Sequence, residues 1–559
     1  MSELAAQFGP GLLIAALAAP LIVLAAFLVP GLQGVARAIT PVAAAPALAA
    51  AGLAIGGAPF GAELPALRVS LWLDRPGGLL LLTAALVWLI VSIVAFRGPV
   101  AAIADRGDYK IGQGGPNADR FAVAWLLTMA GSLGVFIAAD LLTFYLVYAL
   151  VSVPAYYLVA HDEDASSRRA GGVYMAFALL GEAVLLIAFV MLAAGEPSGA
   201  TQIRDVVAAL PSSPWRDAAL ALIILGFGMK IALVPLHGWM PLTYTAAPIP
   251  AAAVLSGAGV KAGVIGLIRF LPLGATLPGW GEALVWVGFI SAFYGVAIGV
   301  TQRDPKTMLA YSSISQTGVI AAAFGMALVS ADQGAATNVA FYAANHVLVK
   351  AALFLSVGAV AALDGRARTL ALIVAALLGL SLAGLPLTGG ALAKLAVKDQ
   401  LGDGAVGVAS QLSGAATTAL MLVFVMRLTR SPAAGRAGAS RSRLWSWATL
   451  AVAALLIPWL MFRAVGSPAE ALDPAKLWDT VWPMLIGAAV AAGVWAAGDR
   501  LPRIPVGDIV IAEEAAFRAS LSLGPMFERA DRGLREWPAA GLALLMVALA
   551  LAAAGYASR

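Results

Sequence analysis

The chain of 559 residues contains no cysteine. Disulfides, thiolate metal sites and iron–sulfur clusters are therefore excluded. Histidine is nearly as scarce: His161, His237 and His346 are the full set, which argues against a haem held by paired histidines. Charge is thin as well. Asp, Glu, Lys and Arg make up 12% of the residues, about half the roughly 25% of a soluble domain. Apolar residues fill the space: 61% of the chain is hydrophobic and the mean hydropathy is +0.90. A soluble enzyme with a membrane anchor does not have this composition; a polytopic membrane protein does. The formal charge of +5 is spread among loops beside apolar runs, so it signals no nucleic acid. The opening MSELAAQFGP carries an acid and no basic residue before the first apolar run, unlike a cleaved signal peptide.

A spanning helix needs about 20 mostly apolar residues. The sequence holds about sixteen such segments, the last centred near Val547 after others near Thr128, Ala149, Gly181 and Leu225. No polar domain interrupts the series, so the expected fold is one all-α polytopic membrane domain. It divides into N-terminal helices (1–115), a core (116–430) and C-terminal helices (431–559). Loop charges orient it. Loops after odd-numbered spans carry Arg37, Arg97, Arg106, Lys110, Arg120, Arg168, Arg169, Arg303, Lys306, Arg366, Arg368 and two later basic groups. Loops after even-numbered spans carry fewer. The positive-inside rule makes the odd loops cytoplasmic and puts both termini outside, in a bacterial-type plasma (inner) membrane. Two spans look broken: one at Pro235 and Pro241, the other at Pro386 and Gly389–Gly390. Unwound backbone at membrane depth is tolerated where it is buried in protein or lines a wet cavity. The breaks lie an odd number of spans apart, each with a lysine nearby, which is the pattern of an inverted repeat. Val506–Glu536 intersperses apolar and charged residues and reads as an amphipathic segment lying along the cytoplasmic surface before the last helix, or else as an ordinary loop with a helical turn or two.

The ionisable residues inside the spans are few. A lysine in hydrocarbon costs roughly 2.5–3.5 kcal/mol on insertion scales. Lys230 either snorkels toward Pro235 or stays buried for a purpose; Lys261 is nearer a helix centre and has less room to escape. Glu182 sits mid-span, where a carboxylate finds a cation, takes a proton, or glues two helices as a neutral acid. His346 and Lys350 share one helix face, either as a relay, since histidine titrates near neutrality, or as helix-packing groups. His237 sits at the first break, capping carbonyls or relaying. Lys394 follows the second break and is a better buried candidate than Lys398, which precedes Asp399. Buried amines and a carboxylate at mid-depth are the chemistry of a proton pathway. The chain carries no metal site, cofactor site or nucleotide loop of its own, so any coupling energy comes from elsewhere.

Four segments carry a recognisable pattern: Lys230–Phe270, Arg303–Gly318, Asn345–Gly358 and Gly384–Lys394. Together they resemble the signature of the proton-translocating antiporter-like family. That family includes antiporter-like subunits of respiratory complex I, large subunits of Mrp-type antiporters, and membrane subunits of energy-converting hydrogenases and of bicarbonate-accumulating complexes. The span count, with a lateral segment before the last span, further resembles the lateral-helix-bearing member of complex I. The resemblance implies that Lys230 pairs with a glutamate on the input side, Lys261 is the relay lysine, His346 belongs to the central relay and Lys394 is the terminal lysine. It implies other membrane subunits and a cytoplasmic or peripheral partner, and a function as a proton-conducting or proton/cation-antiporting subunit. Two alternatives stay open: supplying proton motive force to a cytoplasmic inorganic-carbon hydrating partner, and a non-conducting scaffold. One departure matters. Ala149 stands where the family carries its pairing glutamate, and Glu182 on the next span is expected to substitute. A second departure is the short basic connection Asp364–Thr369.

Overall fold

The computed structural model describes residues 2–96, 116–432, 441–512 and 514–515. Residues 1–506 form one compact unit. Of 507–559, residues 508–512 and 514–515 are helical. The remainder of the expected amphipathic segment and the span centred on Val547 lie outside the described residues.

The chain opens with α1 (Ser2–Phe27), α2 (Gln33–Ile39) and α3 (Ala45–Gly56). A hairpin follows, β1 (Phe60–Leu64) and β2 (Val69–Leu73), antiparallel with Phe60 opposite Leu73. Then come α4 (Arg75–Phe96), α5 (Pro116–Gly134), α6 (Leu141–Ser152), α7 (Ala155–Val159) and α8 (Ala165–Ala194). Helix starts are set by capping carboxylates: Asp140 accepts from the Thr143 amide at 2.8 Å and Asp164 from the Ser167 amide at 2.6 Å. Each such cap is worth about 1 kcal/mol.

The first interrupted span follows α9 (Ile203–Ala209) and runs as α10 (Arg216–Lys230), an unwound stretch, and α11 (Trp239–Ala246). The indole N–H of Trp239 donates to the Met229 carbonyl at 2.8 Å, tying the two sides of the break together. α12 (Ile249–Val254) passes through a π-helical turn, Leu255–Gly259, into α13 (Lys261–Phe270). α14 (Pro278–Gly299), α15 (Pro305–Ser330) and α16 (Ala335–Ala362) are unbroken. The second interruption separates α17 (Gly365–Ala383) from α18 (Gly389–Ala396). Gly384 ends α17 at φ +106°, a left-handed cap that suits glycine. α18 packs so closely on that end that a Cβ on Gly390 would lie 1.6 Å from the Ser381 carbonyl oxygen. α19 (Lys398–Leu401), α20 (Ala405–Thr429), α21 (Arg441–Met461), α22 (Pro468–Ala471) and α23 (Pro474–Ala497) complete the unit.

Among the described residues, 13 helical stretches are long and apolar enough to cross a membrane. The expected centres at Thr128 and Leu225 fall in α5 and in α10, which has only 15 residues before its break. Burial is uneven. Ile249–Phe270, α15 and α16 are enclosed almost throughout, whereas α1 and α23 are largely exposed. The enclosed helices carry Lys261, His346 and Lys350, so those groups face protein and not lipid.

α14 and α15 interlock through glycine. Gly281, Gly288 and Gly295 recur every seven residues on α14, against Gly325, Gly318 and the Tyr311–Ser315 backbone of α15. A Cβ on Gly288 would lie 2.6 Å from the Gly318 carbonyl, and one on Gly318 2.4 Å from the Gly288 carbonyl. Small residues allow this backbone approach, which replaces hydrophobic driving force as the source of helix association in lipid.

Candidate functional site

Lys230 ends α10, where the helix unwinds and its last carbonyls face inward. Its ammonium donates to the Ser152 hydroxyl at 2.8 Å. It also lies over the rings of Tyr148 and Tyr174, 5.3 and 5.9 Å from their centroids. Tyr174 is itself tied to the Ser152 carbonyl at 3.1 Å. A cavity of ≈ 10 Å³ lined by Tyr148, Ser152, Tyr174 and Lys230 adjoins the amine, close to the room one water needs. Glu182 is buried on α8, next to Gly181, where α8 crosses Gly226 of α10. It makes no direct ion pair with Lys230 among the described residues. Instead the two charges act on each other electrostatically, with Ser152 in reach of both. One carboxylate oxygen, Oε1, has no protein hydrogen-bond partner.

On one flank of Lys230 the packing is dry. Phe270 stacks on Phe189 at 4.6 Å and meets Phe144 and Phe227 at 4.9 and 5.6 Å. These rings join α6, α8, α10 and α13 one turn before Lys230, on the side of the Arg216 end of α10.

The centre of the site is the contact between Lys261 and His346. The π-helical turn, two residues before Lys261, presses on α16; a Cβ on Gly257 would sit 3.1 Å from the Val347 carbonyl. That approach brings Lys261 Nζ to 2.7 Å from His346 Nδ1, both residues fully buried. An ammonium has only donors, so a bond here requires the ring nitrogen to accept. Among the described residues, His346 Nε2 has no protein partner. One turn along α16, Lys350 donates to the Leu309 carbonyl of α15 at 2.8 Å. His237, in the first break, is fully buried with its ring 4.9 Å from that of Tyr294 and 6.5 Å from that of Tyr311.

Lys394 stands apart. It is half-buried and donates to the Ala383 carbonyl at the end of α17, so the amine caps the negative end of a broken helix. Between it and the central groups runs a neutral polar seam. The Tyr342 hydroxyl donates to Gln316 Oε1 at 2.7 Å, the Gln316 amide to the Thr417 hydroxyl at 3.1 Å, and that hydroxyl to the Ser413 carbonyl at 2.8 Å. Gly414, beside Ser413, lies against Lys394 Nζ. Among the described residues, Asn345 Oδ1, Ser312 Oγ, Ser315 Oγ and Ser381 Oγ are buried without protein partners.

Residues 138–401 match the profile of the family described as "NADH:quinone oxidoreductase/Mrp antiporter, TM". Over those residues, a little under half of its length, the chain is similar to that family of membrane subunits. Hydrogenase-4 component B of Escherichia coli (strain K12) is 33% identical to this chain, over 39% of this chain and 34% of the relative. NADH-quinone oxidoreductase subunit N of Desulforudis audaxviator is 32% identical over 52% of the chain and 58% of the relative. The chain thus spans only part of the length of these relatives. The fold matches a chain of the Mrp complex from Dietzia sp. DQ12-45-1b at a TM-score of 0.70 and 21% identity, over 98% of this chain and 63% of that one. A chain of an archaeal membrane-bound sulfane sulfur reductase matches at 0.64 and 20% identity, over 88% and 99%.

Within this chain the geometry joins Lys261 to His346, brings Lys350 within one turn, and sets Glu182 across Ser152 from Lys230. It does not bring Lys394 into contact with the others. Ser152, Gln316, Tyr342 and Thr417 were not expected from sequence. Ser152 lies three residues after Ala149, on the same face of α6, and that spacing was the available signal.

Proposed function

We propose that this chain is a proton-conducting membrane subunit of a multi-subunit ion-translocating assembly. Glu182, Lys230, His237, Lys261, His346, Lys350 and Lys394 form its mid-membrane path. The single observation that carries the reading is the fully buried Lys261–His346 contact. Two basic groups held 2.7 Å apart away from solvent repel if both are protonated. They therefore share charge, and a proton arriving at one favours departure from the other. Glu182 replaces the acid missing at Ala149, acting on Lys230 across Ser152. The aromatic packing between Lys230 and the Arg216 end of α10 fits a lysine loaded from the opposite face. That face is cytoplasmic if both termini lie outside. The finer architecture completes the proposal: about sixteen spans, an inverted repeat relating the two breaks, and a lateral segment before the last helix.

The similar proteins are named as components of hydrogenase-4, NADH-quinone oxidoreductase and Mrp assemblies, which supports other membrane subunits as partners here. A cytoplasmic or peripheral catalytic partner belongs to the same proposal. The test is proton flux in membranes carrying the co-purified assembly. Lys261→Ala and His346→Ala are each expected to reduce potential-driven flux at least tenfold without loss of assembly. Flux at the parental rate in both variants refutes conduction along this path and leaves a scaffold role.

A further inference from the structure

A second cavity lies at the end of the path, on the face that the loop charges assign to the exterior. Its volume is ≈ 80 Å³, and its lining includes Lys394, Lys398, Gln411, Lys476, Asp479 and Thr480. Asp479 belongs to α23, which lies beyond the family-matched residues 138–401 and packs along α20; a Cβ on Gly487 would sit 2.3 Å from the Ala415 carbonyl. Among the described residues, α23 therefore supplies the one carboxylate that lines a cavity with three lysines. Those lysines are engaged differently. Lys476 is held by Glu470. Lys394 is bonded to the Ala383 carbonyl, a neutral acceptor. Lys398 donates to Asp479 at 2.6 Å.

We propose that the Lys398–Asp479 ion pair is an electrostatic latch on proton release from Lys394. The proposal rests on the conduction reading above and adds a control point to it. Asp479 can neutralise one ammonium of the cavity at a time. Paired with Lys398, it leaves Lys394 with only a carbonyl to stabilise its charge, and the proton leaves outward. Turned to Lys394, it holds the proton there. No covalent bond changes; the ammonium loses one proton to solvent and becomes an amine. The remaining charged neighbours are accounted for. Asp399 and Asp403 bear on Lys398 from its own segment, and Glu470 occupies Lys476, while α17, α20 and α21 put no charged group into the lining. The Asp479 hydrogen bond, set against partial burial and helped by Asp479, Asp403 and Asp399 charges, holds the Lys398 ammonium above its ordinary value. Lys398 thus stays charged and competes for Asp479 throughout the working range.

The experiment measures potential-driven proton efflux from vesicles carrying the full assembly while the pH on the release side is varied. Asp479→Asn leaves Lys398 unpaired beside Lys394, and the efflux midpoint is expected to move about 1 pH unit lower, the size of effect a neighbouring charge imposes. Lys398→Gln frees Asp479 for Lys394, and the midpoint is expected to move in the opposite direction. The double variant returns toward the parental profile. Lys398→Arg keeps the pair and the parental profile, separating lost pairing from disturbed assembly. Midpoints that shift together, or stay fixed while efflux persists, overturn the latch. If Lys261→Ala also leaves efflux intact, the conduction reading has failed, and the latch falls with it.

Discussion

Replacing Glu182 with glutamine removes the carboxylate that acts on Lys230 and keeps the side-chain volume. The Gly181–Gly226 crossing of α8 and α10 beside it is untouched. An opposite charge nearby shifts a titrating group by about 1–3 units, each worth about 1.36 kcal/mol. Glu182 acts across Ser152, not by direct contact, so the lower end applies. A loss of about 1.4 kcal/mol is a roughly tenfold change in the population of the loaded state. Proton flux at saturating potential is therefore expected to fall about tenfold in Glu182→Gln. Assembly and melting temperature are expected to stay unchanged. Adding Ala149→Glu returns an acid to the adjacent face of α6, one turn before Ser152, and is expected to recover much of the flux. The assay is quenching of a pH-sensitive dye in vesicles, normalised to assembly content. Parental flux in Glu182→Gln refutes the role given to this carboxylate.

Three further outcomes follow from the same geometry. Ser152→Ala removes the 2.8 Å acceptor of the Lys230 ammonium; a hydrogen bond to a charged group is worth about 1.5–3 kcal/mol, so flux should change at least tenfold, read in the same vesicles, and an unchanged rate counts against Ser152. Gly318→Ala sets a Cβ 2.4 Å from the Gly288 carbonyl; overpacking against backbone costs about 1–3 kcal/mol, visible as a lower melting temperature, and an unshifted melt contradicts the interlock. Outside the spans, burial tends to raise the Asp74 carboxyl, but the Arg269 guanidinium bonded to it more than offsets this and holds it below its ordinary 3.8. Its contribution to stability is then present above pH 3.8 and lost as pH falls through the depressed value; melting curves of Asp74→Asn should show a deficit at neutral pH that closes in acid, and a pH-independent deficit argues against the linkage.

The lysines and His346 could be found in the sequence because charge inside an apolar stretch is conspicuous whatever it touches. The two breaks were legible for a related reason, since proline and paired glycine interrupt a helix by their own chemistry. What they touch was not legible. Ser152 and Gln316 are ordinary residues for a membrane helix, and only packing shows that one receives an ammonium and the other bridges α15, α16 and α20. Lys394 bonds to a backbone carbonyl, which no residue type announces. Lys398 looked like a surface group beside Asp399, yet its partner is Asp479, far along the chain and supplied by α23. α10 is too short to qualify as a span by length, although the alternation of loop charges leads one to expect a crossing there.

The glycine seam between α14 and α15 bears on which parts of the molecule are free to move. Two rods meshed backbone to backbone at intervals of seven residues neither slide nor roll past each other without lifting apart. Leu309, whose carbonyl receives Lys350, and Gln316 both ride on that meshed pair. Neither group shifts relative to α14 unless that seam parts. Any displacement during turnover then falls to the interrupted spans on either side, where the backbone is already unwound.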